Sequence, residues 1–335
     1  MEHKTRNSIL LAIIAIAVVV IPTMLIKIEV IDEYTAQILT LAGINAIIAI
    51  SLNLISGITG QLALGHAGFM AIGAYTTSSL TMQLGLPLPL AIIGGGFMTA
   101  VFGFIIGFPT LKLSGDYLAI VTLGFGEIIR VVLINMKGIT GGAAGLKGVP
   151  GFTADILAQP VISFAVVTAT LVLILAGITN FLLSSYGRAI ISIREDEIAA
   201  ASNGIPVFFY KMFSFTISAF LAGIAGGLYA PFFGYLNPTM FTFLKSVDFL
   251  IIVVLGGMGS ITGTIIASYV LTYLQEFLRF LKDYRLVIYP FILIFIMLFR
   301  PKGLLGRSEL SLVGLLNRVL QWRASKAKDD KEARR

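Results

Sequence analysis

The sequence predicts an all-α polytopic membrane protein with about ten transmembrane passes, some of them short or broken. Three observations carry this. Hydrophobic residues fill 57% of the 335 positions and charged residues 12%, against roughly 45–50% and about 25% in soluble domains. Mean hydropathy is +0.95. The apolar residues also run in continuous blocks of about 20, the length a helix needs to cross the hydrocarbon core. Their continuity, without alternation, selects helices over a closed barrel. A soluble fold would have too little charged surface to cover such a core, whereas lipid solvates it directly.

The first block, 9–26, follows Lys4 and Arg6. It is long for the apolar region of a signal peptide, and no small-x-small site follows before Lys27, so it reads as a retained first helix. Further spans are expected at 35–56, 61–82, 88–108, 117–135, 160–183, 208–230, 247–275 and 286–299. Lys4 and Arg6 place the N-terminus inside. Nine spans would then put the C-terminal tail outside, yet ten of the 24 Lys and Arg lie after Phe299. The positive-inside rule forbids that arrangement. A break at LGGMGS, with Gly256, Gly257 and Gly259, divides 247–275 in two. Ten passes then leave both termini in the cytoplasm.

A second interruption is expected within ISGITGQLALGHAGFMAIGAY, residues 55–75. Its glycine density permits close helix approach or a broken helix. Paired interruptions in two halves of a chain point to a transport site, and they suggest two related halves here, around 35–135 and 208–299. The outer loop 136–159 is glycine-rich and lacks the order of a phosphate loop. It is expected to be a docking surface for an external partner or a plain linker. The domain reading is one permease domain over 1–306 and a basic cytoplasmic tail over 307–335, with an interfacial helix at Leu310–Trp322 lying near anionic headgroups. The net charge of +7 follows from the positive-inside rule and not from nucleic-acid binding.

The chain lacks cysteine and has two histidines, His3 and His66. This excludes a thiolate or His-rich metal site and leaves no catalytic set, no HExxH and no Walker A order. The chain is therefore not expected to be an enzyme or to hold a cofactor. Gln61, Gly65, His66 and Glu127 are the candidates for a translocation path, because ionisable and polar groups inside a bilayer are costly. Each has a second reading. Glu127 and Arg130 lie one helical turn apart and can form a structural ion pair. His66 can be a packing residue that hydrogen-bonds a neighbour. Asn45, Asn53 and Gln61 recur every eight residues and are expected to contact other helices.

The inner loop 184–206 has its own helix signals. Ser192-x-x-Glu195 fits a capping box, Asp196 and Glu197 follow where the helix dipole favours anions, and Ala199, Ala200 and Ala201 are strong helix formers. Gly204 and Pro206 form a stop. One helix of about three turns is predicted over 193–203, shaped to seat in a partner's groove.

EDEIAAASNGI resembles the EAA-x3-G loop of ABC importer permeases, with Glu197, Ala199, Ala200 and Gly204 in the matching places and Ile198 inserted between the Glu and the alanines. GRAIISIREDEIAAASNGI, GQLALGHAGFMAIGAY, YLAIVTLGFGEIIR, ITGGAAGLKGVPG and FRPKGLLG together resemble the LivM-type permeases of branched-chain amino-acid importers, over about 35–306. The resemblance implies a coupling helix at 193–204, with Arg194, Glu195, Asp196, Glu197, Ala200 and Gly204 meeting an ATPase. It implies a LivH-type sibling permease in a heterodimer, two cytoplasmic ATPase subunits holding ATP and Mg, an external solute-binding protein, a fold with inverted repeats like that of type II importers in a bacterial or archaeal plasma membrane, and leucine, isoleucine or valine as substrate. Related permeases move urea or short amides. An ion-coupled secondary transporter using Glu127 and His66, or a passive channel, stays open.

Overall fold

The computed structural model describes residues 16–306 except 114, 154, 156, 157, 301 and 302. The expected start of the first span, the basic tail and the Leu310–Trp322 helix lie outside the described residues. The chain is an all-α membrane protein. Its helices are α1 (Ile16–Lys27), α2 (Glu33–Asn53), α3 (His66–Leu84), α4 (Leu88–Thr110), α5 (Asp116–Asn135), α6 (Lys137–Thr140), α7 (Gln159–Leu183), α8 (Ser185–Glu195), α9 (Glu197–Ser202), α10 (Val207–Phe233), α11 (Phe243–Gly256), α12 (Ile261–Phe277) and α13 (Arg285–Phe299). Five of these, α2, α4, α5, α7 and α10, are long and apolar enough to cross a membrane. Two residue pairs, β1 (Leu146–Lys147) and β2 (Tyr235–Leu236), form an antiparallel bridge.

Three boundaries differ from the sequence expectation. The span expected at 61–82 begins only at His66, after a non-helical stretch. The loop 136–159 is partly ordered by α6, a 3-10 turn at Gly142–Ala144 and β1, because β2 supplies it with backbone partners. The inner loop holds two helices, α8 and α9, where one was expected.

α2 is the central helix. From Ile44 to Asn53 every residue is buried, and α12, α7, α10 and α11 surround it. At its start Asp32 accepts hydrogen bonds from Thr35 Oγ1 (2.8 Å) and Thr35 N (3.3 Å), which hold its carboxyl below the ordinary value. α10 packs against α3 and α4 along a seam of small residues. A Cβ at Gly73 would strike the backbone of Gly223, one at Gly226 that of Met70, and one at Gly103 the methyl of Ala219. Backbones thus meet directly, and dispersion rather than water exclusion holds helices together in lipid. Hydroxyls on these helices are absorbed locally: Thr40, Ser78, Thr99 and Thr110 each donate to a carbonyl one turn back.

Long-range contacts sort into two ends of the bundle. At one end β1 meets β2, Tyr34 donates to Glu276, and Ile26 packs with Ala36 and Phe164. At the other, Phe108 stacks edge-on with Phe208 and Tyr186 with Tyr210, and the α2–α3 and α11–α12 turns lie beside Arg194 at the end of α8.

Candidate functional site

Both expected interruptions are present, and they touch. α2 widens into a π turn at Leu54–Ile58, with Thr59 N donating to Leu54 O at 3.0 Å, and the chain then runs non-helically to His66. α11 stops at Gly256; Gly257 (φ 107) and Gly259 (φ 93) turn the chain through backbone conformations that only glycine takes without strain. Ser260 caps α12 by accepting from Gly263 N at 3.1 Å. Residues 303–305 dock here as well. Leu304 N donates to Leu255 O at 2.7 Å, which satisfies a carbonyl that the end of α11 leaves open.

Asn53 ties the two interruptions together. Its Nδ2 donates to Ser260 O and to Thr264 Oγ1, both at 3.0 Å, and its Oδ1 accepts from Gly259 N at 2.8 Å. The side chain is fully buried and uses both ends of its amide. Asn45 donates to Thr272 Oγ1 at 3.1 Å. Gln61 breaks the eight-residue series: it lies beyond the π turn, which shifts the helical phase, and its buried Oε1 lacks a protein partner.

The candidate path residues do not form one cluster of polar side chains. Gly65 packs on the backbone of α5, where a Cβ would stand 2.5 Å from Thr122 O. Thr122 Oγ1 accepts from Leu64 N and Ser246 Oγ from Ala67 N, both at 3.0 Å. His66 is fully buried, with Nε2 2.9 Å from Ser218 Oγ. That hydroxyl donates to Ser51 O at 2.7 Å. His66 thus joins the Ser51–Ser218 hydroxyl pair in one buried hydrogen-bonded group. The serine partners, Ser51 and Ser218, carry no motif and were not legible in the sequence. Glu127 forms the expected pair with Arg130 Nε (2.7 Å) and also accepts from Phe243 N at 3.0 Å. It thus serves the first N–H of α11, whose own N-cap residue Thr242 makes no side-chain bond.

The inner helix pair is built differently from the sequence expectation. Ser192 is not the cap: its Oγ donates back to Ala189 O at 2.8 Å. Asp196 takes that role. It adopts an extended backbone, ends α8, and accepts from both Ile198 N and Ala199 N at 2.9 Å. α9 ends in a paired turn, Ile205 N to Ala200 O at 3.2 Å and Gly204 N to Ala201 O at 2.9 Å, with Gly204 at φ 79. Ala200 is buried. Glu197 faces α10, where it forms an ion pair with the buried Lys211 at 2.6 Å. The exposed part of α9 centres instead on Ile198, 81% exposed and the most exposed large apolar side chain of the described residues. It is the single large apolar residue between Ile193 and Ile205, and it is the residue that interrupts the EAA pattern.

These features have close relatives. The family described as the branched-chain amino acid transport system permease component matches residues 34–298. The chain is 39% identical over 296 residues to the high-affinity branched-chain amino acid transport system permease protein LivM of Escherichia coli, covering 81% of this chain and 70% of that protein. It is 26% identical over 293 residues to LivH of the same organism (82% and 95% covered) and 28% identical over 296 residues to BraD of Pseudomonas aeruginosa (82% and 95%). No solved structure matches. The family match runs from the start of α2 to the end of α13 and takes in both interruptions and the helix pair, so the chain belongs to the family of branched-chain amino acid transport permeases, on its LivM-type branch.

Proposed function

We propose that the chain is the membrane-spanning permease subunit of an ABC importer that brings branched-chain or related hydrophobic amino acids into the cytoplasm by alternating access. A LivH-type sibling permease, two cytoplasmic ATPase subunits and an external solute-binding protein complete the machine. The substrate class rests on the names of the relatives. The observation that carries ATP coupling is α9: a short helix, capped at both ends and standing between two long spans, that holds Ile198 in solvent. An apolar side chain costs little to leave exposed singly, but two caps on a six-residue helix serve to hold it in place.

The ten-pass reading is supported by the two-ended sorting of contacts. If each helix from α1 to α5, then α7, α10, α11, α12 and α13, crosses once, the contacts that mark each end of the bundle join segments on the same side. With the N-terminus inside, α8, α9 and both interruptions face the cytoplasm with the tail, and β1, β2 and Glu276 face outward. The α2–α3 and α11–α12 turns join the two halves of the chain on one side. ATP drives transport only by binding one conformation better than the other. α9 is where that preference enters this chain.

In proteoliposomes holding the complete complex, leucine uptake is expected to require ATP and to survive collapse of the proton and sodium gradients. Ile198→Asp should insert normally, lose the co-purifying ATPase and lose most uptake. Uptake that ignores ATP and fails with the ion gradients would establish an ion-coupled transporter instead.

A further inference from the structure

We propose that Arg194 is a positioning residue that keys the cytoplasmic helix pair to the two interrupted turns, rather than a contact for the ATPase. The proposal rests on the permease reading above and deepens it.

Arg194 lies in the last turn of α8, two residues before the Asp196 break, and is half-buried. Its stem lies on Gly60: a Cβ there would stand 3.2 Å from Arg194 Cγ and 3.6 Å from its Cα and Cβ. Its guanidinium reaches Gly259, where a Cβ would stand 2.6 Å from Nη1. One side chain therefore spans from the helix pair across the turn after α2 to the turn between α11 and α12. Both positions are glycines at positive φ (77 and 93), and a Cβ at Gly60 would press on the arginine stem. Gly259 N is held in turn by Asn53 Oδ1 at 2.8 Å, so the contact continues into α2. The guanidinium is planar and weakly hydrated, which suits it to lie flat on exposed backbone, and an ammonium does not reproduce this. The neighbouring tie is of another kind: Glu197 to Lys211 links α9 to α10, the next helix in the chain. Arg194 lies against both halves of the permease. A shift of α8 relative to the spans must either carry the two turns with it or withdraw the arginine from between them. Those are the two discrete arrangements that coupling between distant sites requires.

The test uses the complete importer in proteoliposomes. Arg194→Ala is expected to insert and to retain ATPase subunits at the wild-type ratio. Stimulation of ATP hydrolysis by loaded binding protein should fall about fivefold or more, within the usual range of coupling between sites, and uptake should fall with it. Arg194→Lys should recover less than half. Gly60→Ala, whose methyl would press on the arginine stem, should reproduce the loss, and the double variant should be no worse than the poorer single. This non-additivity would not arise from two unrelated packing defects, so additive losses overturn the proposal. Loss of the ATPase from Arg194→Ala, or undiminished stimulation in it, overturns it as well. If Arg194→Ala fails to insert, Arg194→Lys and Gly60→Ala carry the same comparison. If the wild-type chain retains no ATPase, the permease reading fails first, and that result is recognisable by itself.

Discussion

At the scale of single residues, Asn53 bears the most. A buried amide with three partners stabilises the meeting of two turns, and loss of one partner leaves another group buried and unpaired, at about 1–3 kcal/mol. Asn53→Leu should lower the detergent melting temperature by stripping partners from Gly259 N and Ser260 O. Asn53→Asp should do more damage, because it sets a carboxylate oxygen against Ser260 O in an apolar interior. Equal melting of wild type and Asn53→Asp would sink this account. The eight-residue spacing made Asn45 and Asn53 legible as contact residues. It could not name Thr272, Ser260 or Thr264, which come near only through folding, nor warn that the π turn takes Gln61 out of phase. Glu127 and Arg130 were legible as a pair by their spacing. The bond from Phe243 N was not, since a backbone donor has no sequence signature.

At the scale of elements, α8 and α9 show where local signals compete. Ser192 and Asp196 both read as helix starts. Asp196 prevails because a carboxylate accepts two N–H bonds and also meets the positive end of the helix dipole, whereas Ser192 spends its hydroxyl on α8 itself. Asp196→Ala should therefore cost about 1 kcal/mol and speed hydrogen exchange at Ile198 and Ala199. Ser192→Ala should leave both amides protected. Faster exchange in Ser192→Ala alone would restore the single-helix reading. The break at LGGMGS was legible because glycines in positive φ end helices and because charge placement demanded it. The order within 136–159 was not, since its partner β2 lies about 90 residues further on.

At the scale of the whole molecule, the sorting of contacts into two ends gives a topology that labelling can check. Lys147, Lys282 and Ser202 are exposed, and the chain has no native cysteine. Single cysteines at 147 and 282 should react with an impermeant thiol reagent added outside, and one at 202 only after the membrane is opened. Labelling of residue 282 from the inside alone would mean that α11 and α12 do not both cross. The fold class and the order of spans were readable from hydropathy and charge. The pairing of the interruptions was not, because it depends on three-dimensional contacts across more than 200 residues.

Asn53 also bears on the order in which the protein can be made. Translation delivers α2 to the membrane long before Ser260 and Thr264 exist, and Leu304, which helps to close the end of α11, comes later still. Until then the nascent chain carries an unpaired amide and open carbonyls in surroundings that penalise both. The central helix is thus inserted early but completed late. The half-made permease must be sheltered by the insertion machinery, or by neighbouring helices, until synthesis has passed residue 304.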